Sequence, residues 1–265
     1  MIIAPNVCFE KRGLIDMNDK LKIEEIKNVF GNKPFTSDDL YHFYQTYDPN
    51  LKKSTFRWRV YALKNNGVIN TLKRGVYTTK SKKDFQPTVS KKIRNLFSKV
   101  KNQFPYVDMC IWETSWLNNL MVHQAFSNNI ILEVDKDAAS AVFAFLQESQ
   151  KNVYLNPGKH EVEHYISAGQ TSIIIKNLTV TSPLQEVQNI IVPSVEKIMI
   201  DLFVDDELFV AYQGAELKNI YQELFNTYNV NQSTLKQYAH KRHIKDKLIS
   251  FLKAETSIDE DELLI

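Results

Sequence analysis

Between Ser54 and Tyr77 the chain reads Ser-Thr-Phe-Arg-Trp-Arg-Val-Tyr-Ala-Leu, then Gly67-Val68-Ile69, then Lys73-Arg74-Gly75-Val76-Tyr77. Phe56, Val60 and Leu63 recur at i, i+4 and i+7, which places them on one face of a helix. Gly67 suits the left-handed position that closes such a helix. The β-branched and aromatic residues on either side of Lys73-Arg74-Gly75 then predict two short strands joined by a tight, glycine-bearing turn. Few folds deliver a helix straight into a basic hairpin, and the expectation is a winged helix-turn-helix with this helix as its third.

The preceding residues agree. Asp19 to Phe30 places Leu21, Ile23, Ile26, Val29 and Phe30 near helical spacing and is stopped by Gly31-Asn32-Lys33-Pro34. Thr36-Ser37-Asp38-Asp39 supplies an N-cap with acids in the first turn, and Leu40, Phe43 and Tyr44 form an apolar face. Tyr47-Asp48-Pro49-Asn50 is a turn, and the third helix begins at about Lys53 or Ser54.

A recognition helix directs its early residues at base edges, and its N-terminus favours a phosphate oxygen. The expected contacts to double-stranded DNA are therefore Lys52, Lys53, Ser54, Thr55, Arg57 and Arg59, joined by Lys73 and Arg74 at the hairpin. Arg57 and Arg59 are each suited to base or phosphate, since arginine pairs bidentately with either. Trp58 and Tyr61 read as packing residues, as large aromatics usually are. Charge supports the same half of the chain. Residues 1–105 carry 21 Lys/Arg against 9 Asp/Glu, whereas the remainder carries 12 against 22, although the whole is only +2. Phosphate binding needs such local cation density, because each neutralised phosphate releases condensed counterions.

The run from the first helix through the hairpin resembles the N-terminal winged-helix domain of AbiEi family antitoxins, bacterial proteins of type IV toxin-antitoxin systems. Leu63, Gly67, Val68, Ile69, Arg74, Gly75, Val76 and Tyr77 carry the shared Leu-x-x-x-Gly-Val-Ile and Arg-Gly-Val-Tyr patterns. Later, Glu196, Lys197 and Asp201 are similar to a Glu-Arg/Lys-Thr/Ile-x-x-Asp stretch of the antitoxins' C-terminal domains. Leu235, Tyr238, Ala239 and Arg242 look like their Leu-x-x-Tyr-Ala-x-x-Arg helix. Lys197 stands where many relatives have arginine, and residues 106–190 match loosely. The resemblance implies a cytoplasmic transcriptional autorepressor that binds operator DNA in an abortive-infection system. It also implies opposition to a nucleotidyltransferase toxin without a required stable complex. No catalytic residues, metal or cofactor are expected.

The expected fold class is α+β, in three parts. Residues 1–86 form the basic winged helix-turn-helix. Residues 87–105 form a basic connecting helix with Val89, Ile93, Leu96, Phe97, Val100 and Phe104 on its apolar side. Residues 106–265 form an acidic mixed α/β domain that ends in helices. In that domain strands are expected at Val107–Trp112, Asn129–Val134, Asn152–Leu155 and Ser172–Ile175, with a helix over Lys136–Gln150. Helices follow over Val195–Leu202, Ala215–Tyr228 and Gln232–Ala254.

An enzyme is the alternative, a metal-dependent nuclease or nucleotidyltransferase brought to DNA by the winged helix. Glu133 and Asp135 at a strand end have the acidic character of a Mg²⁺ site. No Asp/Glu-x-Lys triplet begins at either residue, and no Gly-Ser pair with a following Asp-x-Asp precedes them. Glu196 and Asp201 read as a helix N-terminal acid and a buried hydrogen-bonding group. His160, Glu163 and His164 place two imidazoles four residues apart, but without the His-Glu-x-x-His order a solvated helix face is the simpler reading. Seven glycines and no phosphate-loop, dinucleotide or nucleophile-elbow pattern leave little for those chemistries. Cys8 and Cys110 form no Cys-x-x-Cys pair, in keeping with a reducing compartment. The start has too short an apolar run for a signal peptide, and no membrane span is expected. His240, Lys241, Arg242, His243, Lys245 and Lys247 form a basic island, which either pairs with the acidic tail Asp259–Glu262 or touches nucleic acid.

Overall fold

Thr36 closes the junction between a two-residue strand and a helix by the capping chemistry expected of it: its hydroxyl accepts the Asp39 N–H at 3.1 Å, and the Asp39 carboxylate accepts the Thr36 N–H at 2.8 Å. The computed structural model that contains this box describes residues 20–123, 125, 128–166 and 170–256, with the Lys73 side chain excepted. The chain is α+β and falls into two units, whose boundary lies between Lys83 and Asp84. Among the described residues no helix is long and apolar enough to cross a membrane.

The first unit contains α1 (Ile23–Phe30), β1 (Phe35–Thr36), α2 (Ser37–Gln45), α3 (Lys53–Asn65), β2 (Asn70–Lys73) and β3 (Val76–Thr78). Asp19, expected at the start of the first helix, lies outside the described residues. The three strands form an antiparallel sheet in the order β1-β3-β2, with Phe35 opposite Tyr77 and Asn70 opposite Thr78. Leu21, Ile26, Leu40, Tyr44, Leu63 and Ile69 fill the core, and the Tyr44 phenol donates to the Leu21 carbonyl at 2.7 Å. Phe56 and Val60 pack against this core from α3. Gly67, at φ +64°, ends that helix, and the Val68 N–H turns back to the Leu63 carbonyl at 2.9 Å. Gly75, at φ +72°, makes the turn between β2 and β3.

The second unit is built on a four-stranded sheet of β4 (Met109–Glu113), β5 (Ile130–Val134), β6 (Val153–Leu155) and β7 (Ile173–Asn177), in the order β4-β5-β7-β6. β4 is antiparallel to β5, while β5, β7 and β6 are mutually parallel. Alternation along each strand gives the sheet two chemically different faces. Met109, Ile111, Ile130, Leu132, Val134, Ile173 and Ile175 lie in one apolar cluster with α4 (Lys91–Gln103) and α5 (Ala139–Gln147). The apolar side of α4, formed by Ile93, Leu96, Phe97 and Val100, is therefore buried in this unit's core.

The intervening strand positions include Cys110, Trp112, Ile131, Glu133, Ile174 and Lys176. That set reaches α6 (Val195–Val204), whose residues from Val195 to Leu202 are all buried, Lys197 completely so. α7 (Ala215–Thr227), α8 (Gln232–Lys241) and α9 (Lys245–Glu255) follow it in the chain. Two features depart from the expected pattern. The helix foreseen over Gln232–Ala254 is two helices, because His243 takes φ +58° and the Ile244 N–H bonds back to the Ala239 carbonyl at 3.0 Å. A hairpin of β8 (Leu184–Val187) and β9 (Ile190–Pro193) precedes α6, with both turn residues, Gln188 and Asn189, at positive φ.

Candidate functional site

Two arrangements concentrate chemistry, a cationic helix and hairpin in the first unit and a buried ion network in the second. In the first, α3 contains four cations and no acid, and Lys52, Lys53, Ser54, Thr55 and Arg57 are all exposed. Lys52 provides no side-chain cap at its N-terminus. Arg74 is exposed beside Gly75 at the hairpin turn, and Lys73 belongs to β2 although its side chain lies outside the described part.

Arg59 differs from its neighbours. It is half-buried, with its guanidinium carbon 4.6 Å from the centre of the Tyr44 ring. This cation-π contact ties Arg59 to the core of its unit. Burial raises the Tyr44 phenol above its ordinary value, so the ring is neutral over the working pH range. The expectation that Trp58 and Tyr61 are packing residues is corrected: they are 52% and 67% exposed. The helical phase set by Phe56, Val60 and Leu63 turns them outward.

In the second unit, the Lys197 ammonium lies 2.7 Å from both Glu133 carboxylate oxygens and also bonds Asp201. The other Asp201 oxygen accepts from the Tyr238 phenol at 3.0 Å and from Arg242 Nη1 at 2.5 Å. Arg242 Nη2 stands 3.7 Å from Asp205, which Lys176 meets at 2.5 Å. The network thus balances Glu133, Asp201 and Asp205 against Lys176, Lys197 and Arg242. Such neutrality is what makes these buried charges tolerable. Burial favours the neutral form of Lys197, but Asp201 and Glu133 outweigh it and hold its pKa well above the usual lysine value. Burial raises the Glu133 pKa against the pull of Lys197.

Glu196 lies beside this network. It accepts from Ser194 Oγ at 2.5 Å and from the Asn231 N–H at 2.7 Å, joining the start of α6 to the start of α8. Glu196, Lys197 and Asp201 are therefore held by structural contacts, and their partners Tyr238 and Arg242 come from α8 and the residue after it. A cavity of about 40 Å³ lies against the network, lined by Trp112, Glu133, Asp201, Phe209 and Arg242 among others.

The two acids considered for a metal site go separate ways. Glu133 belongs to the ion network, whereas Asp135 accepts the Asp108 N–H at 3.1 Å and lines a different groove, of about 590 Å³. His160 and His164 stack with ring centres 4.3 Å apart, and His164 Nδ1 lies 2.9 Å from the His160 carbonyl oxygen. Among the described residues no three His, Cys, Asp or Glu side chains group as metal ligands. Burial raises the Cys110 thiol well above the ordinary range, and the charge of Glu133 on the adjacent strand adds to it. The basic island divides, since Arg242 turns inward while Lys241 bonds the Thr181 hydroxyl. Its proposed acidic partner, Asp259–Glu262, lies outside the described residues.

Sequence reasoning identified the cationic residues of the first unit individually but missed the full buried network. The available signal was Lys197 and Asp201, one helical turn apart around the apolar Ile198-Met199-Ile200. No curated protein matches the chain. The model of a protein family described as a family of unknown function, DUF6577, matches residues 55–258 and so takes in α3 from Thr55 onward, the β2–β3 hairpin and the whole ion network. With that much of its length matched, the chain belongs to the DUF6577 family.

Proposed function

We propose that the chain is a DNA-binding regulator of the AbiEi antitoxin type, with a winged helix-turn-helix in its first unit and an antitoxin-like domain in its second. The observation that carries this reading is α3 with its N-cap Lys52: the helix has no acid, Lys52, Lys53, Ser54, Thr55 and Arg57 face solvent, and it runs into a hairpin whose turn exposes Arg74. The helix order and the β1-β3-β2 sheet support the winged arrangement. α3 then enters the major groove, and the hairpin tracks the adjacent backbone or minor groove. The ion network supports the second part of the reading, because the two segments that resemble antitoxins meet in it through Asp201, Tyr238 and Arg242.

Mobility shifts on the DNA upstream of the protein's own gene test the first part. Arg57→Ala is expected to weaken binding about tenfold or more, the scale of one bidentate contact. Arg59→Ala is expected to lower stability while leaving the salt dependence of binding unchanged, since that side chain is held over Tyr44. Wild-type affinity in Arg57→Ala and in Lys73→Ala/Arg74→Ala proteins would remove the proposed surface. Co-expression with a nucleotidyltransferase encoded by an adjoining gene tests the second part: restored growth supports an antitoxin, and unrelieved toxicity counts against one.

A further inference from the structure

We infer that the outward face of α3 stacks unpaired bases, so that the DNA accepted by the first unit includes a single-stranded or locally opened segment. The inference rests on the nucleic-acid reading of this unit and specifies the form of its ligand. Ser54, Trp58, Tyr61 and Asn65 follow one another at spacings of four, three and four residues, forming a single stripe along the helix, and all four are exposed. Trp58 and Tyr61 are 52% and 67% exposed. Among the described residues neither ring meets another aromatic ring or a cation, and neither polar tip has a hydrogen-bond partner.

The charge around the stripe selects the occupant. α3 has no acid, Arg57 adjoins Trp58, and Lys52 and Lys53 lie at the start of the helix. An apolar protein face would gain nothing from that field, whereas a polyanion would. Among polyanions, a closed duplex hides its base faces and offers only edges to a helix in the major groove. An unpaired strand offers the flat π-surfaces that Trp and Tyr bind, with its phosphates left for the cations. Residues three apart on a helix place their side chains about 5–6 Å apart at Cβ. That spacing lets the two rings engage successive bases of an extended strand.

The test uses the full chain, the strand (dT)12 and a 12-base-pair duplex at one salt concentration, with tryptophan emission as readout. Trp112 is buried and Trp116 half-buried, both in the second unit, so a quench absent from Trp58→Phe reports on Trp58. We expect (dT)12 to quench that emission. Trp58→Ala and Tyr61→Ala should each weaken (dT)12 binding roughly 5- to 100-fold, the range of one stacked base, and change duplex affinity less than about twofold. Unaltered circular-dichroism melting in these surface variants separates binding from folding. Duplex binding without (dT)12 binding, or equal losses on both probes, overturns the stacking assignment and leaves the DNA reading intact. Failure to bind (dT)12 overturns the stacking assignment whatever the duplex does, whereas failure to bind the upstream DNA overturns the DNA reading itself.

Discussion

Lys197 shows why a single side chain can matter more to this molecule than its surface charge. It is wholly buried and bonds both Glu133 and Asp201. Lys197→Met would leave Glu133 without its buried cation and Asp201 with only Tyr238 and Arg242, and a buried pair broken from one side typically costs about 3–5 kcal/mol. Chemical denaturation should report that loss as a lower midpoint, and adding Glu133→Gln should recover part of it. The same network predicts alkaline sensitivity. A lysine whose folded pKa is raised contributes stability fully below its unfolded value, near 10.4, and loses it as pH rises through the folded value. Stability should therefore fall above about pH 10, with a shallower slope in Lys197→Met. Tyr221 and Tyr238, whose phenols burial also raises, supply the remaining slope. Little of this was legible residue by residue. Glu133 read as a strand-end acid because its partner is 64 positions away, and no local pattern joins them. Trp58 and Tyr61 were legible in principle: the phase of Phe56, Val60 and Leu63 points them outward, but average aromatic burial pointed the other way.

Secondary-structure elements were more legible where their ends carry chemistry of their own. Thr36, Gly67 and Gly75 announce a cap, a helix stop and a hairpin turn, and each occupies that position. The long C-terminal helix was misread because nothing in His243 resembles a glycine stop, yet it adopts φ +58°. That conformation costs an L-residue about 1–2 kcal/mol. His243→Gly should consequently raise stability by about 1 kcal/mol in a urea titration, and a lowered midpoint would show that the histidine itself holds the α8–α9 junction. The β8–β9 hairpin was hidden for a related reason. Its turn uses Gln188 and Asn189 at positive φ where Asn-Gly is the usual signal. Gly75→Ala is the converse case: at φ +72° it should cost about 1–2 kcal/mol and weaken DNA binding through the hairpin.

At the scale of the whole molecule, charge and chemistry divide along the chain. The first 105 residues carry the cation surplus, and α3 with its hairpin exposes a concentrated part of it. The acidic remainder folds around a sheet with one apolar face and one face reached by a neutral ion network. The split in charge was readable from composition, whereas the two-faced sheet emerged only when alternation along β4, β5 and β7 was combined with their pairing. The phosphate contacts proposed for the first unit would leave a thermodynamic signature in the salt dependence of binding. The decisive measurement is the slope of log Kobs against log salt for upstream DNA, in the wild-type chain and in Lys52→Ala/Lys53→Ala/Arg74→Ala. Each lost phosphate contact should flatten the slope by about 1, so the triple variant should lose about 3; identical slopes and affinities in the two proteins would contradict the proposed DNA surface.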